Sequence, residues 1–306
     1  MKIDCERIAN EMLKEAKDGI ALLKKQGITP TLCIIKVGND PASEAYVKNK
    51  VKTCTGLGIR CVVNHLPEDI TQEDLERSIN TMHDFRSYDG IEYWAHGMIL
   101  QLPLPAHLDA EKAIRLIYPH EDVDGLTDGA VVMPCTPTGI MRILDAEGIE
   151  LAGKHAVVVG RSKLVGKPLA KMLLDRDCTV TVCHSKTADL ALHTREADIL
   201  ISAVGKPGLI EAYMMKHNAV VIDVGISRVD GKLVGDVDPR VMDYHQDARI
   251  TPVPGGVGKT TVAALACNLV QLALKRHGLK KAVCGSGCKL EAPEPCDLRD
   301  VRDEMQ

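Results

Sequence analysis

The sequence predicts an α/β protein of two domains, the second Rossmann-like with a parallel sheet, and three observations predict it. Short apolar, β-branched runs alternate with amphipathic helical stretches along most of the chain, the pattern of parallel strands joined by crossover helices. One such run, 156–159, ends in Gly160 and leads to Gly166 at the head of a helical stretch, as in turns that cradle a phosphate. The chain of 306 residues is also long enough for two ordinary domains.

Each element follows from local chemistry. Ile8, Met12, Ala16, Ile20 and Leu23 recur at helical spacing, and Gly27 stops that helix. Residues 31–37 are a strand, broken by Gly38 to Pro41. The next helix starts at Ser43, carries Tyr46 and Lys50, and ends before Gly58. A strand over 59–66, a helix over 71–83 opened by Thr71, and a strand over 97–102 running into Pro103 and Pro105 complete the first half. At 134–139 Thr136 suits a helix cap and Pro137 a first helical position. Beyond it come strands at 156–159, 179–183, 199–203 and 219–224, with a helix at 166–175. The expected division is 1–134 and 135–258, with a last helix at 260–278 packing back on the first domain. The remainder, 279–306, is rich in Gly, Pro, Cys and acid and is expected to be a disordered tail.

Composition excludes several functions. With 45% hydrophobic and 26% charged residues the chain matches an ordinary soluble protein. A net charge of −4 and 3% aromatic content leave no general footprint for nucleic acid. The N-terminus is charged, and no apolar run approaches the roughly 18 residues a membrane helix needs. Neither a membrane nor nucleic acid is an expected partner, and a cytoplasmic location is. The 11 cysteines are scattered, so they are expected to be reduced thiols. Cys284, Cys288 and Cys296 lack a second ligand pair, and no metal is expected.

The turn Gly160, Arg161, Ser162, Val165 and Gly166 is the candidate phosphate site, although Ser162 stands where a second glycine is usual. NAD-binding folds place an acid at the end of the second strand to bond the ribose 2′-hydroxyl. Here Cys183 runs instead into His184, Ser185, Lys186 and Thr187. Cations and hydroxyls at that end suit a 2′-phosphate, so the expected cofactor is NADP. Ala203 is placed at the cofactor, and Gly205 to Gly208, Asp223 to Ile226 (Gly225 and Ile226 among them) and Gly255-Gly256 along the nicotinamide, where glycine lets backbone approach a ring.

In the first half, Tyr46 and Lys50 are four apart on one helix face. Gln101 ends a strand immediately before Leu102-Pro103-Leu104-Pro105, and Asp124 lies in the acidic turn 122–125. Singly each has a plain structural reading, as packed aromatic, snorkelling lysine or turn former. Taken in order, Tyr46 to Lys50, Gln101 to Pro105, Asp122 to Gly125, Pro134 to Pro137, the Gly160 to Pro168 turn and Thr251-Pro252-Val253-Pro254-Gly255-Gly256-Val257-Gly258 resemble the bifunctional methylenetetrahydrofolate dehydrogenase/cyclohydrolase family over about residues 1–278. The resemblance implies NADP-dependent oxidation of 5,10-methylenetetrahydrofolate and hydrolysis of the methenyl product to 10-formyltetrahydrofolate in one cleft. It assigns Lys50 as the catalytic lysine, Gln101 as its holder, Tyr46 against the folate rings and Asp124 as the pteridine anchor. Leu102, Pro254, Gly255 and Gly256 then border the substrate. It also implies a homodimer and a place in one-carbon metabolism that supplies purine synthesis.

Three departures stand out. Lys259-Thr260-Thr261 follows Gly258 where the family often has Pro-Met-Thr, and Lys259 is read as meeting an anionic part of folate or cofactor. The segment between Asp124 and Pro134 is short, and 91–96 reads as an extra loop. Residues 255–261 also mimic the phosphate loop of ParA-like nucleotide hydrolases, but only one helix and a tail follow them. An inactive folate- or NADP-binding scaffold is the other rival, against which the intact set Tyr46, Lys50, Gln101 and Asp124 stands.

Overall fold

The computed structural model describes residues 1–83, 87–88, 91–92 and 95–279. The expected tail therefore lies outside the described residues beyond Leu279, as do Tyr93 and Trp94 of the expected 91–96 loop. Helix α1 (Cys5–Lys25) is capped by Asp4, whose carboxylate accepts the Arg7 N–H at 3.0 Å, and buries the predicted stripe from Ile8 to Leu23. Strand β1 (Thr31–Val37) is buried along its whole length. Helix α2 (Pro41–Leu57) begins two residues before Ser43, because Asp40 accepts the Ser43 N–H at 2.7 Å and Pro41 suits the first turn. It ends where Gly58 turns left-handed, at φ 87°.

Strand β2 (Arg60–Leu66), helix α3 (Gln72–His83), the short antiparallel pair β3 (Ser87–Tyr88) and β4 (Ile91–Glu92), and strand β5 (Gly97–Leu100) follow. The first sheet has the order β2-β1-β5 and is parallel throughout. After α4 (Ala110–Ile114), helix α5 (Cys135–Ala146) starts from Pro134, so Thr136 lies inside its first turn instead of capping it. Its hydroxyl instead accepts a bond from Thr261 at 3.3 Å.

The second sheet joins β6 (His155–Val159), β7 (Thr179–Cys183), β8 (Ile199–Ser202), β9 (Val220–Asp223) and, after the hairpin β10 (Ser227–Val229) and β11 (Lys232–Val234), β12 (Arg249–Ile250). Its parallel order is β12-β9-β8-β6-β7. Helices α6 (Gly166–Leu174), α7 (Leu190–Thr194) and α8 (Val241–Tyr244) connect these strands, with a 3₁₀ turn at Ala212–Met214. Because β7 and β8 flank β6 on opposite sides, their loops part at its C-terminal end, where such sheets receive ligands.

Helix α9 (Val257–Arg276) closes the chain and begins three residues earlier than its sequence pattern indicated. It is apolar and long enough to cross a membrane, yet most of it is buried against α1, α5 and α2. Those helices form one core with the inner faces of both sheets, Leu32 and Ile34 on β1 and Ala156, Val158, Ile199 and Ile201 on β6 and β8. The two sheets thus hold fixed positions through shared packing.

Glycine 166 shows how tightly the second sheet meets its helix. A Cβ there would overlap the Gly160 carbonyl oxygen, a backbone atom that cannot swing aside. Gly166→Ala is expected to cost about 2–3 kcal/mol of stability, in the range of overpacked sites, and to lower the denaturant midpoint without changing its slope.

Candidate active site

Helix α2 and the end of β5 bring the first predicted pair together. Lys50 is only 7% exposed, and its Nζ donates to Gln101 Oε1 at 3.2 Å. The Gln101 amide is oriented in turn, since its Nε2 donates to the Leu102 carbonyl at 2.6 Å and its backbone N–H to Ile35 O at 2.8 Å. Val47 and Cys54 bury the same face of α2 and hold the helix against the sheet. Ser43, two turns before Lys50 on that face, has a buried hydroxyl without a hydrogen-bond partner among the described residues. Sequence reasoning passed over it, although the seven-residue spacing to Lys50 carries the signal.

The acidic turn divides its labour. The Asp122 carboxylate accepts the N–H groups of Gly125, Leu126 and Thr127 at 2.9, 2.6 and 2.7 Å. Burial still pushes Asp122 above the usual carboxylate range, against the pull of those bonds. Asp124 is half-buried and lies close to the Cys135 thiol, which is also near Lys50. Burial drives that thiol far above its ordinary value, with Asp124 adding to the effect and Lys50 opposing it. Asn268 of α9 donates to the carbonyls of Val123 and Met133, both at 2.9 Å. The short 124–133 connection is therefore pinned at both ends.

A cavity of about 200 Å³ opens between the domains, walled by Tyr46 and Asn49 of α2, Asp223, Val224 and Ile226 after β9, Leu233, and residues 252–259. Five predicted residues meet there: Tyr46, Ile226, Pro254, Gly255 and Gly256. Burial raises the Tyr46 phenol. Lys50, Gln101 and Asp124 are not part of this wall, and α2 links them to it because it carries both Tyr46 and Lys50. A larger hollow of about 660 Å³ beside α8 contains none of the predicted residues. Lys259 lines the smaller cavity, but its ammonium pairs with Glu6 at 2.8 Å, so the expectation of an anionic ligand meets a protein carboxylate instead.

On the dinucleotide side Gly160 takes φ 115°, and a Cβ there would stand 2.5 Å from the Ala203 oxygen. Ser162 proves to be a cap: its Oγ accepts the N–H groups of Val165 at 3.1 Å and Gly166 at 3.5 Å. That accounts for serine where glycine was expected. The turn after β7 is closed by His184 N–H on Thr187 Oγ1 at 2.9 Å and Lys186 N–H on His184 Nδ1 at 3.1 Å. Arg161, Ser185 and Lys186 are exposed around it, and no acid stands at the strand end. These residues fit a dinucleotide bearing a 2′-phosphate.

Of the two acids behind this crevice, Asp223 opens the 223–226 stretch expected beside the nicotinamide and lines the cavity, whereas Asp236 was missed in the sequence. Asp223 is 4% exposed and accepts the N–H groups of Asp236 at 2.9 Å and Val237 at 3.0 Å, while burial lifts its carboxyl to about 6. A side chain at Gly235 would collide with Asp223, and one at Gly225 with Asp236. The signal was Asp-x-Gly followed ten residues later by Gly-Asp.

A buried lysine held by glutamine in one α/β domain, on a helix that also walls a crevice against a Rossmann-type domain, defines a dinucleotide-dependent enzyme of two domains. The chain belongs to the tetrahydrofolate dehydrogenase/cyclohydrolase family: the family's catalytic domain matches residues 3–124 and its NAD(P)-binding domain residues 134–277. The bifunctional protein FolD of Moorella thermoacetica is 47% identical over 282 residues, 89% of this chain and 98% of its own. That of Methylibium petroleiphilum is 45% identical over 290 residues, 90% and 98% of the two chains. The crystal structure of the Campylobacter jejuni FolD dehydrogenase/cyclohydrolase superposes with a TM-score of 0.83 at 42% identity, covering 90% of this chain and 99% of that one. The Trypanosoma brucei enzyme, solved with NADP and an inhibitor, gives 0.81 at 36% identity, covering 91% and 98%.

Proposed function

We infer that the protein oxidises 5,10-methylenetetrahydrofolate to the 5,10-methenyl cation with NADP and hydrolyses that cation to 10-formyltetrahydrofolate. The observation that carries this is the buried Lys50–Gln101 pair at the edge of a catalytic domain whose crevice is shared with an NAD(P)-binding domain. NADP, when bound, accepts the hydride. The protein's own part in that step is placement: Tyr46 offers a ring face to the pterin, and Asp124 offers a carboxylate to its amino and ring N–H groups. Hydrolysis requires a water to lose a proton. Lys50, acting as the neutral amine, is the group placed to take it on its nitrogen lone pair, with Gln101 Oε1 accepting one Nζ–H so that the nitrogen keeps a fixed direction.

Arg161 is the residue assigned to the 2′-phosphate. Arg161→Ala is expected to raise KM for NADP about tenfold, roughly 1.4 kcal/mol, while leaving KM for NAD within twofold. Steady-state assays with the two cofactors check it. We place the protein in the cytoplasm as a homodimer, its product feeding purine synthesis. The eight described cysteines are all free thiols, as a reducing compartment keeps them. The edge strand β7 exposes Val182, and Leu174 and Leu192 stand exposed on α6 and α7, apolar surface suited to a second copy. Sedimentation tests the dimer. The activity is tested by incubating methylene-folate with NADP or NAD, following NADPH and methenyl absorbance, then methenyl decay; absence of NADPH formation overturns the reading.

A further inference from the structure

We propose that Asp236, which lies outside the folate and phosphate motifs, is a positioning residue for the dinucleotide: its carboxylate fixes the 203–206 segment at the C-terminal end of β8, the edge at which a Rossmann sheet receives its ligand. This deepens the NADP-dependent reading above and rests on it.

Asp236 is fully buried, yet it is surrounded by donors and no cation pairs with it among the described residues. Its Oδ2 accepts Ser202 Oγ–H at 2.8 Å, Val204 N–H at 2.8 Å and Gly205 N–H at 3.3 Å, and its Oδ1 accepts Lys206 N–H at 2.8 Å. Four donors fill the capacity of an ionised carboxylate. All four belong to the end of β8 and the residues after it, at the C-terminal edge where a Rossmann sheet receives its ligand.

Three successive amides, 204 to 206, take Asp236 as their acceptor in place of main-chain carbonyls, so the acid substitutes for secondary structure in that segment. The same segment touches the phosphate turn, through the close approach of Ala203 O to Gly160. It also touches the hairpin, since Ser227 Oγ donates to Gly205 O at 2.9 Å. Gly225 must lack a side chain because the Asp236 carboxylate occupies that space. Residues 203–206 and Gly225, at the C-terminal ends of β8 and β9, therefore pack around one acid, and the Ser227 bond ties β10 to them.

The bifunctional protein supplies its own control, since hydrolysis of methenyl-folate needs no dinucleotide. In Asp236→Asn one acceptor oxygen becomes an NH2 facing amide donors. Fluorescence titration is expected to show Kd for NADPH raised at least tenfold, and KM for NADP should rise in step. Methenyl-folate hydrolysis without NADP should fall less than threefold. A parallel loss of both activities, or an unchanged NADPH Kd, overturns the proposal. Should Asp236→Asn fail to fold, Ser202→Ala removes one of the four donors; at least a twofold rise in NADPH Kd supports the proposal and an unchanged Kd overturns it. A wild-type protein that binds NADPH without oxidising methylene-folate sinks the functional reading, and the titration still decides the role of Asp236.

Discussion

Lys50→Met is expected to lose hydrolysis of methenyl-folate by about 10³-fold or more while keeping measurable NADP reduction. Positioned proton transfer contributes roughly 10²–10⁴-fold to a rate, and this substitution removes the only group assigned to it. Methionine is close to lysine in length and unbranched, and a side chain only 7% exposed tolerates an apolar substitute of that shape. The variant should therefore fold, with Gln101 still held by its bond to the Leu102 carbonyl. Hydride transfer depends on where the folate and the dinucleotide lie, for which Tyr46 and Asp124 are the residues proposed. Its rate should fall less, by about 10- to 100-fold as the ammonium contact is lost. Absorbance assays of the two half-reactions separate these effects. Wild-type hydrolysis by Lys50→Met would remove Lys50 from the proton-transfer role.

Much of this arrangement was legible because it is local. The four-residue spacing of Tyr46 and Lys50 puts both on one side of α2 wherever the helix begins, and the Gly58 stop is a backbone requirement readable without a partner. Gln101 was found because it ends a strand before a proline run. What escaped depends on groups distant in the chain. Helix α5 starts from Pro134, and the Thr136 hydroxyl expected to cap it meets Thr261 of α9, 125 residues away. The reciprocal fit of Gly225 with Asp236 and Gly235 with Asp223 appears only when β9 and the end of the hairpin come side by side. Ser162 looked like a defect in a glycine pattern, and only the fold shows its hydroxyl capping α6. Lys259 was read as meeting an anionic part of folate or cofactor, and only the fold brings Glu6 to it.

The acidic turn yields the sharpest test of that limit, because Asp122 and Asp124 are equivalent in sequence and opposite in consequence. Asp122 has both oxygens engaged by three backbone N–H groups, so its carboxylate serves the turn. Asp124, half-buried beside the Cys135 thiol that Lys50 also approaches, is the carboxylate we assign to the pterin edge. Two charge-assisted bonds to the amino and ring N–H groups are each worth about 1.5–3 kcal/mol. Asp124→Ala is therefore expected to raise KM for methylene-folate and for methenyl-folate together by about 100-fold or more, with NADPH affinity unchanged. Asp122→Ala should instead act on the fold: three amides lose their acceptor, the melting temperature drops, and folate and NADPH binding weaken in proportion to the protein unfolded. Measuring KM for both folates, NADPH affinity and melting temperature on the two variants separates anchor from scaffold. If Asp124→Ala keeps folate KM within threefold, the pterin is held by some other group, and the vacant Ser43 hydroxyl two turns before Lys50 becomes the first residue to replace.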